Sequence, residues 1–440
     1  MYWTHQLHSP NVCSMPAEPA TASRPLLTAV DTPTSTSGTT DPRHLPGSPG
    51  LRRTQLALFG AGLATFLLLY STQALLPNLS ANLHLTPGQA SWTVSAASIG
   101  LAVAVIPISA LSERFGRTRI MTLAVFAAVA IALVLPFTGD LGTLTALRAL
   151  QGVALAGLPA TAMAFLAEEV HPSALPSAMG LYVAGNSIGG MSGRLLSGVV
   201  AGAYGWRAGL AAVALAALLC AVAFRVLIPR ARNFRPGPVN PRALWHTVTG
   251  HVANPLLARL FALGLLFMTV FGAVYTVLGY RLVAAPFGLP QALASSIFVV
   301  YLVGTVASAA SARIGARLGR RGALYAAITT TSAGLLLTLP ESLPLTLLGL
   351  VLITAGFFTG HCVASAAVGR TATHGRAQAS ALYLAAYYVG NSLGGAVGAD
   401  AYHGSGWTGT VSVALTAMLL AAGVTAWGTV SAHRALATAR

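Results

Sequence analysis

Gly185-Asn186-Ser187-Ile188-Gly189-Gly190 returns 205 positions later as Gly390-Asn391-Ser392-Leu393-Gly394-Gly395. A second pair keeps the same order at nearly the same spacing: Arg114-Phe115-Gly116-Arg117 returns 203 positions later as Arg317-Leu318-Gly319-Arg320. Two motifs repeated at one offset describe a structural half written twice. Each copy lies in or beside a long apolar run, so the duplicated unit is a membrane bundle, an arrangement typical of secondary transporters.

Working outward from the repeats, apolar runs long enough to cross about 30 Å of hydrocarbon fall at 55–77, 91–112, 120–139, 143–167, 176–203 and 207–228. A second set follows at 258–283, 290–312, 322–339, 344–368, 378–402 and 409–432. The expected fold is an all-α integral membrane protein, with twelve transmembrane helices in two pseudo-symmetric six-helix bundles. Its parts are a disordered cytoplasmic tail (1–50), an N-terminal bundle (51–228), a cytoplasmic linker (229–257), and a C-terminal bundle with a short tail (258–440). The tail is rich in Pro, Ser and Thr without an apolar run, and Pro229, Pro236, Pro238, Pro241 and Pro255 punctuate the linker.

Composition agrees. Hydrophobic residues make up 55% of the 440 and charged residues 8%, and the mean hydropathy is +0.71. A soluble domain carries roughly a quarter charged residues. The net charge of +16 comes entirely from arginine among the basic residues. With the N-terminus inside, 21 of the 25 arginines fall on the inner face; Arg148 and Arg194 lie within spans and Arg207 and Arg281 outside. This bias orients a membrane protein and removes the reason to expect a nucleic-acid partner. Cys13, Cys220 and Cys362 show neither pairing nor metal-ligand spacing.

Several residues stand out as candidates for function. In the loop Ser109–Arg119, Gly116 suits a tight turn, and Glu113 lies within reach of Arg114 and Arg117. Such a cluster can latch two bodies in one state and release them in another, or simply anchor the inner face. Arg317, Gly319 and Arg320 repeat it. Arg148, in the fourth span, is costly in lipid; it faces an aqueous cavity or a partner, or snorkels to the headgroups. Gly185, Gly189 and Gly193, like Gly390, Gly394 and Gly398, recur every fourth residue and form a ridge that lets another backbone come close.

Asn186, Gly190 and Arg194 share a face that either lines a cavity or hydrogen-bonds a neighbouring helix. Tyr70, Gln73, Tyr387, Tyr388 and Asn391 are further cavity candidates, and His361 is a packing residue or a proton carrier. All nine acids fall at span ends, in loops or in the tail, so two intramembrane arginines favour a neutral or anionic solute. Gly190-Met191-Ser192-Gly193 fits the Gly-x-Ser-Gly of a serine hydrolase with His361 as base. Twelve spans and a duplicated half have no role in that chemistry, and the chain is read as no enzyme.

These motifs resemble those of the major facilitator superfamily. Its signature Gly-x-x-x-Asp-Arg-x-Gly-Arg-Arg matches at Arg114, Gly116 and Arg117 and departs at Ser109 and Glu113; the second copy has Ala316 where the acid would stand. Leu144-x-x-x-Arg148-x-x-Gln151-Gly152 matches the pattern linked with proton coupling in antiporters of the superfamily. The block from Met179 to Arg194 looks like the YnfM-type inner-membrane permeases, a drug:proton antiporter-like branch.

The resemblance implies alternating access around a site between the bundles. It implies proton-coupled export of a drug- or sugar-type solute, with import of a sugar or organic anion as the alternative. Arg148 and His361 would serve coupling, with the proton gradient in place of any cofactor. The fifth span would pack on the eighth and the second on the eleventh, making the glycine ridges sliding surfaces. A monomer in the bacterial inner membrane is implied, both termini cytoplasmic. The copies are unequal: Ala316, Val351 and Ala399 stand at the repeat positions of Glu113, Arg148 and Arg194, so chemistry is expected mainly in the N-terminal half.

Overall fold

The computed structural model describes residues 43–234, 236 and 240–438. The expected tail through residue 42, Arg235 of the linker and the side chains beyond residue 427 lie outside the described set. The described chain is helical, with no β-strand. Apolar segments in lipid must satisfy their backbone groups internally, which a helix does within one segment.

The helices are α1 (Pro49–Leu69), α2 (Leu76–Leu83), α3 (Pro87–Phe115), α4 (Arg117–Val134), α5 (Leu141–Leu155), α6 (Pro159–Glu169) and α7 (Leu175–Leu227). After the linker helix α8 (Pro241–Ala253) come α9 (Pro255–Val283), α10 (Gln291–Ser296), α11 (Tyr301–Leu337), α12 (Leu343–Thr371) and α13 (Arg376–Thr438). By length and composition, nine tracts of the described chain can cross a membrane. A straight helix as long as the 53-residue α7 would run about 80 Å, far more than one crossing needs. The chain instead turns back at Gly205 in α7, Gly319 in α11 and Gly406 in α13, the residues where helical geometry fails. Dividing the tracts at these glycines yields twelve segments, six on each side of the linker.

The turn glycines repeat with the sequence. Gly116 and Gly319 have φ of 100° and 68°, and Gly205 and Gly406 have 82° and 62°. A side chain at such φ is strained, so these positions favour glycine. The expected single spans one and four are each broken. Pro159 lacks the N–H that residue 155 would accept, and α5 stops at Leu155. In the first span a turn and a short 3₁₀ helix, Gln73–Leu75, separate α1 from α2, where Pro77 has no N–H to give residue 73. Within the linker, α8 is an ordered helix whose first N–H groups are capped by Asn240.

The glycine ridges lie at helix interfaces, but inside each half. A Cβ on Gly185, Gly189 or Gly193 would stand 2.5, 2.4 or 2.5 Å from the carbonyl oxygens of Phe59, Leu63 and Leu67 in α1. In the second half, Gly390 and Gly394 meet the carbonyls of Leu265 and Thr269 of α9 in the same way, and Gly398 meets Ala273. The expectation that these glycines form the sliding surface between bundles is therefore corrected. Spacing reveals that a backbone comes close, not which one.

The halves meet through the expected helix pairs, the second span on the eleventh where α3 packs on α13, and the fifth on the eighth where the part of α7 near Gly198 and Gly202 packs on α10. A Cβ on Gly198 would collide with Ser295, and one on Gly202 would press on Ala292.

Gly189→Leu is accordingly expected to weaken the fold of the N-terminal half, since no rotamer clears the Leu63 backbone. The cost should reach about 1–3 kcal/mol or more, seen as a lower melting temperature in detergent. Gly180→Ala, whose Cβ would meet nothing within 4 Å, should leave that temperature unchanged or raised. Equal melting temperatures for wild type and the Gly189 variant would contradict the packing.

Candidate functional site

The break in the first span creates the problem around which the site is built. Ending α1 at Leu69 leaves carbonyls without helical N–H partners, and in an apolar interior such groups need donors. Arg148, entirely buried, supplies them. Its Nη1 donates to the Leu68 carbonyl at 2.9 Å, its Nη2 to that of Leu69, and its Nε to that of Thr93 in α3 at 2.8 Å. Gln151, one turn along α5, accepts from Nη1 and donates its own amide to the Ala128 carbonyl of α4 at 3.0 Å. One guanidinium thus ties α5 to α1 and α3, and the Arg148–Gln151 pair reaches α4. The side chain does not snorkel. Every partner is neutral, so the positive charge is held by dipoles alone.

Two turns along α7 from Asn186, Arg194 makes a second buried guanidinium, 1% exposed. It donates from Nε to Gln73 Oε1 at 2.6 Å and from Nη1 to the Gly190 carbonyl. Its Cζ lies 4.0 Å from the Tyr70 ring centre, 4.7 Å from Tyr301 and 5.2 Å from Phe298. Tyr70 and Gln73 come from the broken first span, whereas Phe298 and Tyr301 belong to the second half, so this cage straddles the two.

Gln73 continues across the boundary, donating to Thr276 Oγ1 of α9 at 3.2 Å. Further ties lie between mid-depth and the end away from the linker. Ser80 pairs with Tyr280 at 2.6 Å, Tyr280 donates to the Leu76 carbonyl at 2.9 Å, and Gln291 donates to the Ala74 carbonyl. Asn391 donates to Ser98 at 2.7 Å, and Ser95 to the Ser392 carbonyl at 3.2 Å.

The second half answers the charged cage with rings. Phe271 stacks on Phe357 at 4.0 Å between centres and lies 5.2 Å from Tyr301. The chain of rings runs on through His361, 4.8 Å from Tyr387, which stands edge-on to the buried Tyr388 at 5.1 Å. His361 Nδ1 pairs with the Tyr383 hydroxyl at 3.0 Å, not with Ser192, so the hydrolase pattern is not assembled. Of the sequence candidates, Tyr70, Gln73 and Arg194 come together, with the ring cluster of Tyr387, Tyr388 and His361 beyond them. Asn391 serves the boundary with α3. Asn186 points its Oδ1 at Gly62 of α1, where a Cβ would stand 2.3 Å away, and so lies in the α1–α7 seam.

At the linker end, Arg117 binds Glu168 through Nε and Nη2 at 3.1 and 2.9 Å and donates to Ser112 at 2.6 Å. Glu113 is only 3.9 Å from Arg117 and largely solvated, and Arg114 lies over Phe115. The pair joins α4 to α6 within one half. Among the described residues Arg317 and Arg320 have no carboxylate within ion-pair distance.

Sequence reading passed over Glu168 and Glu169, although two adjacent acids at an arginine-rich face are a visible signal. Glu169, 1% exposed, accepts the backbone N–H groups of Arg232 and Asn233, both at 2.8 Å, and so pins the start of the linker. His44 sits beside it; burial, helped by Arg232, holds its imidazole below the usual pKa. Phe298 and Tyr301 were missed too, since nothing in their local sequence announces a cation from another half.

Residues 58–399 match the family model described as Major Facilitator Superfamily. The chain is 39% identical to the uncharacterised MFS-type transporter YybF of Bacillus subtilis, over 86% of this chain and 93% of that one. It is equally 39% identical to the inner membrane transport protein YnfM of Escherichia coli, over 82% of this chain and 87% of that one. Among solved structures, an inward-facing, unoccupied bacterial homologue of the human lysosomal transporter Spinster superposes with a TM-score of 0.71 at 15% identity, covering 86% and 96% of the two chains. The chain is a multi-pass membrane protein of the major facilitator superfamily, a transporter and not an enzyme.

Proposed function

We propose that this protein exports a small solute across the bacterial inner membrane by alternating access, in exchange for protons entering the cell. The observation that carries the transport reading is the chain Arg194–Gln73–Thr276. It places a buried cation and its polar relay where the two halves meet, at mid-depth, with walls drawn from both. A solute held there contacts both halves, so its binding free energy can differ between their two arrangements, the condition for a ligand to shift such an equilibrium.

The ties from Gln73 to Tyr280 close the end away from the linker, which corresponds to an inward-facing state if the arginine-rich linker end is cytoplasmic. The inner-membrane placement rests on the relation to the inner membrane transport protein YnfM, and the export direction on the resemblance of Leu144–Gly152 and Met179–Arg194 to the drug:proton antiporter-like branch.

For coupling, the two candidate residues take different parts. Arginine does not deprotonate in proteins, so Arg148 acts by positioning the broken first span, to which Tyr70 and Gln73 belong. His361 lies within α12, and its pairing with Tyr383 gives a proton a place to arrive and leave. The protein is proposed to work as a monomer, with the proton gradient as its only co-reactant.

Purified protein in proteoliposomes with an internal pH reporter, challenged with a panel of neutral, anionic and cationic solutes, should show solute-dependent proton movement. A panel that moves neither solute nor proton would refute the transport reading. His361→Asn should retain solute counterflow while losing the pH signal; an unchanged pH signal would remove His361 from coupling. Arg148→Ala should reach the membrane yet fail to transport, because the break in the first span loses its tie to α5, and the Leu69 carbonyl loses its donor. Normal flux in that variant would refute its positioning role.

A further inference from the structure

We propose that the solute is an amphipathic organic anion, its negative head seated on Arg194 and its apolar or aromatic body on the ring wall of the second half. This deepens the transport reading above and rests on it. Arg194 lies at mid-depth and is 1% exposed, yet its two hydrogen-bond acceptors, Gln73 and the Gly190 carbonyl, are neutral. The described acids lie outside the spans or at their ends, and none forms an ion pair with it. Three rings offset part of the lost hydration through their faces, but they bring no net negative charge.

Compare Arg148, which spends all three of its nitrogens on protein acceptors. Arg194 makes no hydrogen bond from Nη2 to the described residues, and the hydroxyl of Tyr301, buried beside it, also has no partner. One guanidinium is therefore a finished structural tie and the other keeps donors in reserve. An unused Nη2, an unpartnered phenol and an uncompensated positive charge suit a carboxylate-type head. Phe271 and Phe358 adjoin Tyr301, with Phe357 stacked on Phe271, so the wall beside the cation is aromatic and suits an apolar body rather than a hydroxyl-rich sugar.

The same geometry links occupancy to movement. Gln73 Oε1 holds Arg194 Nε, and its amide nitrogen holds Thr276 across the boundary. An anion that takes over Nε displaces Gln73 and loosens this tie at the closed end. Binding from the linker side then favours opening on the other side, as an exporter requires.

The test uses purified full-length protein in detergent and three probes of equal bulk: 2-naphthoate, 2-naphthylmethanol and 2-naphthylmethylammonium, with a matching benzyl series. Anionic probes should raise the melting temperature, while their neutral and cationic partners should not. Arg194→Gln should weaken anion binding by about tenfold or more. Should that variant fail to fold, Gln73→Glu answers the same question, because a carboxylate built beside Arg194 should exclude the anion while keeping the contact. Equal shifts from the three charge classes, no shift from any probe, or undiminished anion binding in Gln73→Glu would overturn the inference. Solute flux persisting in proteoliposomes under those outcomes would leave the transport reading standing and remove only the anion.

Discussion

A guanidinium in hydrocarbon must find acceptors, and a helix that stops in hydrocarbon must find donors. In this chain the two demands meet. The first span ends its α-helix at Leu69, whose carbonyl goes to Arg148, and Arg148 is tolerable at complete burial because that carbonyl accepts from it together with those of Leu68, shared with Ser71, and of Thr93. Neither makes sense without the other. The consequence reaches the candidate site directly, since Tyr70 and Gln73 belong to the stretch released by the break. A continuous helix would turn them by its own period, without regard to Arg194.

Around this tie, the frame is built from close approaches between backbones. The contacts of α7 with α1, and of α13 with α9, repeat one geometry in which a glycine every fourth residue lies against the neighbouring backbone, at a carbonyl oxygen for all but Gly398. Packing of this kind makes each half stiff, because no side chain lies between the backbones to adjust. The boundary between halves is made differently, from the packing of α3 on α13, small contacts at Gly198 and Gly202, and single polar ties. Stiff halves meeting along such a boundary are what rigid-body rocking needs. In the proposed alternating access, the glycines that draw the eye in the sequence would serve by keeping each half intact.

How much was legible in the sequence depended on how local the signal was. The duplicated motifs located the two halves and the turns at Gly116 and Gly319, because a tight turn needs its residue on the spot. Their place within apolar runs singled out Arg148 and Arg194 but left open whether Arg148 met a cavity, a partner or the headgroups. Partners were not legible. A ridge of glycines shows that a backbone comes near, but α1 and a helix of the other half fit that description equally. The break after Leu69 depends on a residue 79 positions away, and the cage on Arg194 depends on rings more than 100 positions away. The Arg117–Glu168 pair was missed for the same reason, with its acid on the far side of two helices.

The repeat also shows where symmetry was abandoned. At the positions matching Arg148 and Arg194 the second half carries Val351 and Ala399, and it gathers Phe271, Phe357, Tyr387 and neighbouring rings in place of a buried cation among its described residues. Charge in one half and aromatic surface in the other cannot both be answered by a uniformly polar solute. They can be answered by one molecule with two ends, and a molecule so held must touch both halves at once. On the proposed reading the asymmetry of the copies would serve mechanics as well as chemistry: occupancy of the charged end would bear on the first half, and contact with the rings on the second.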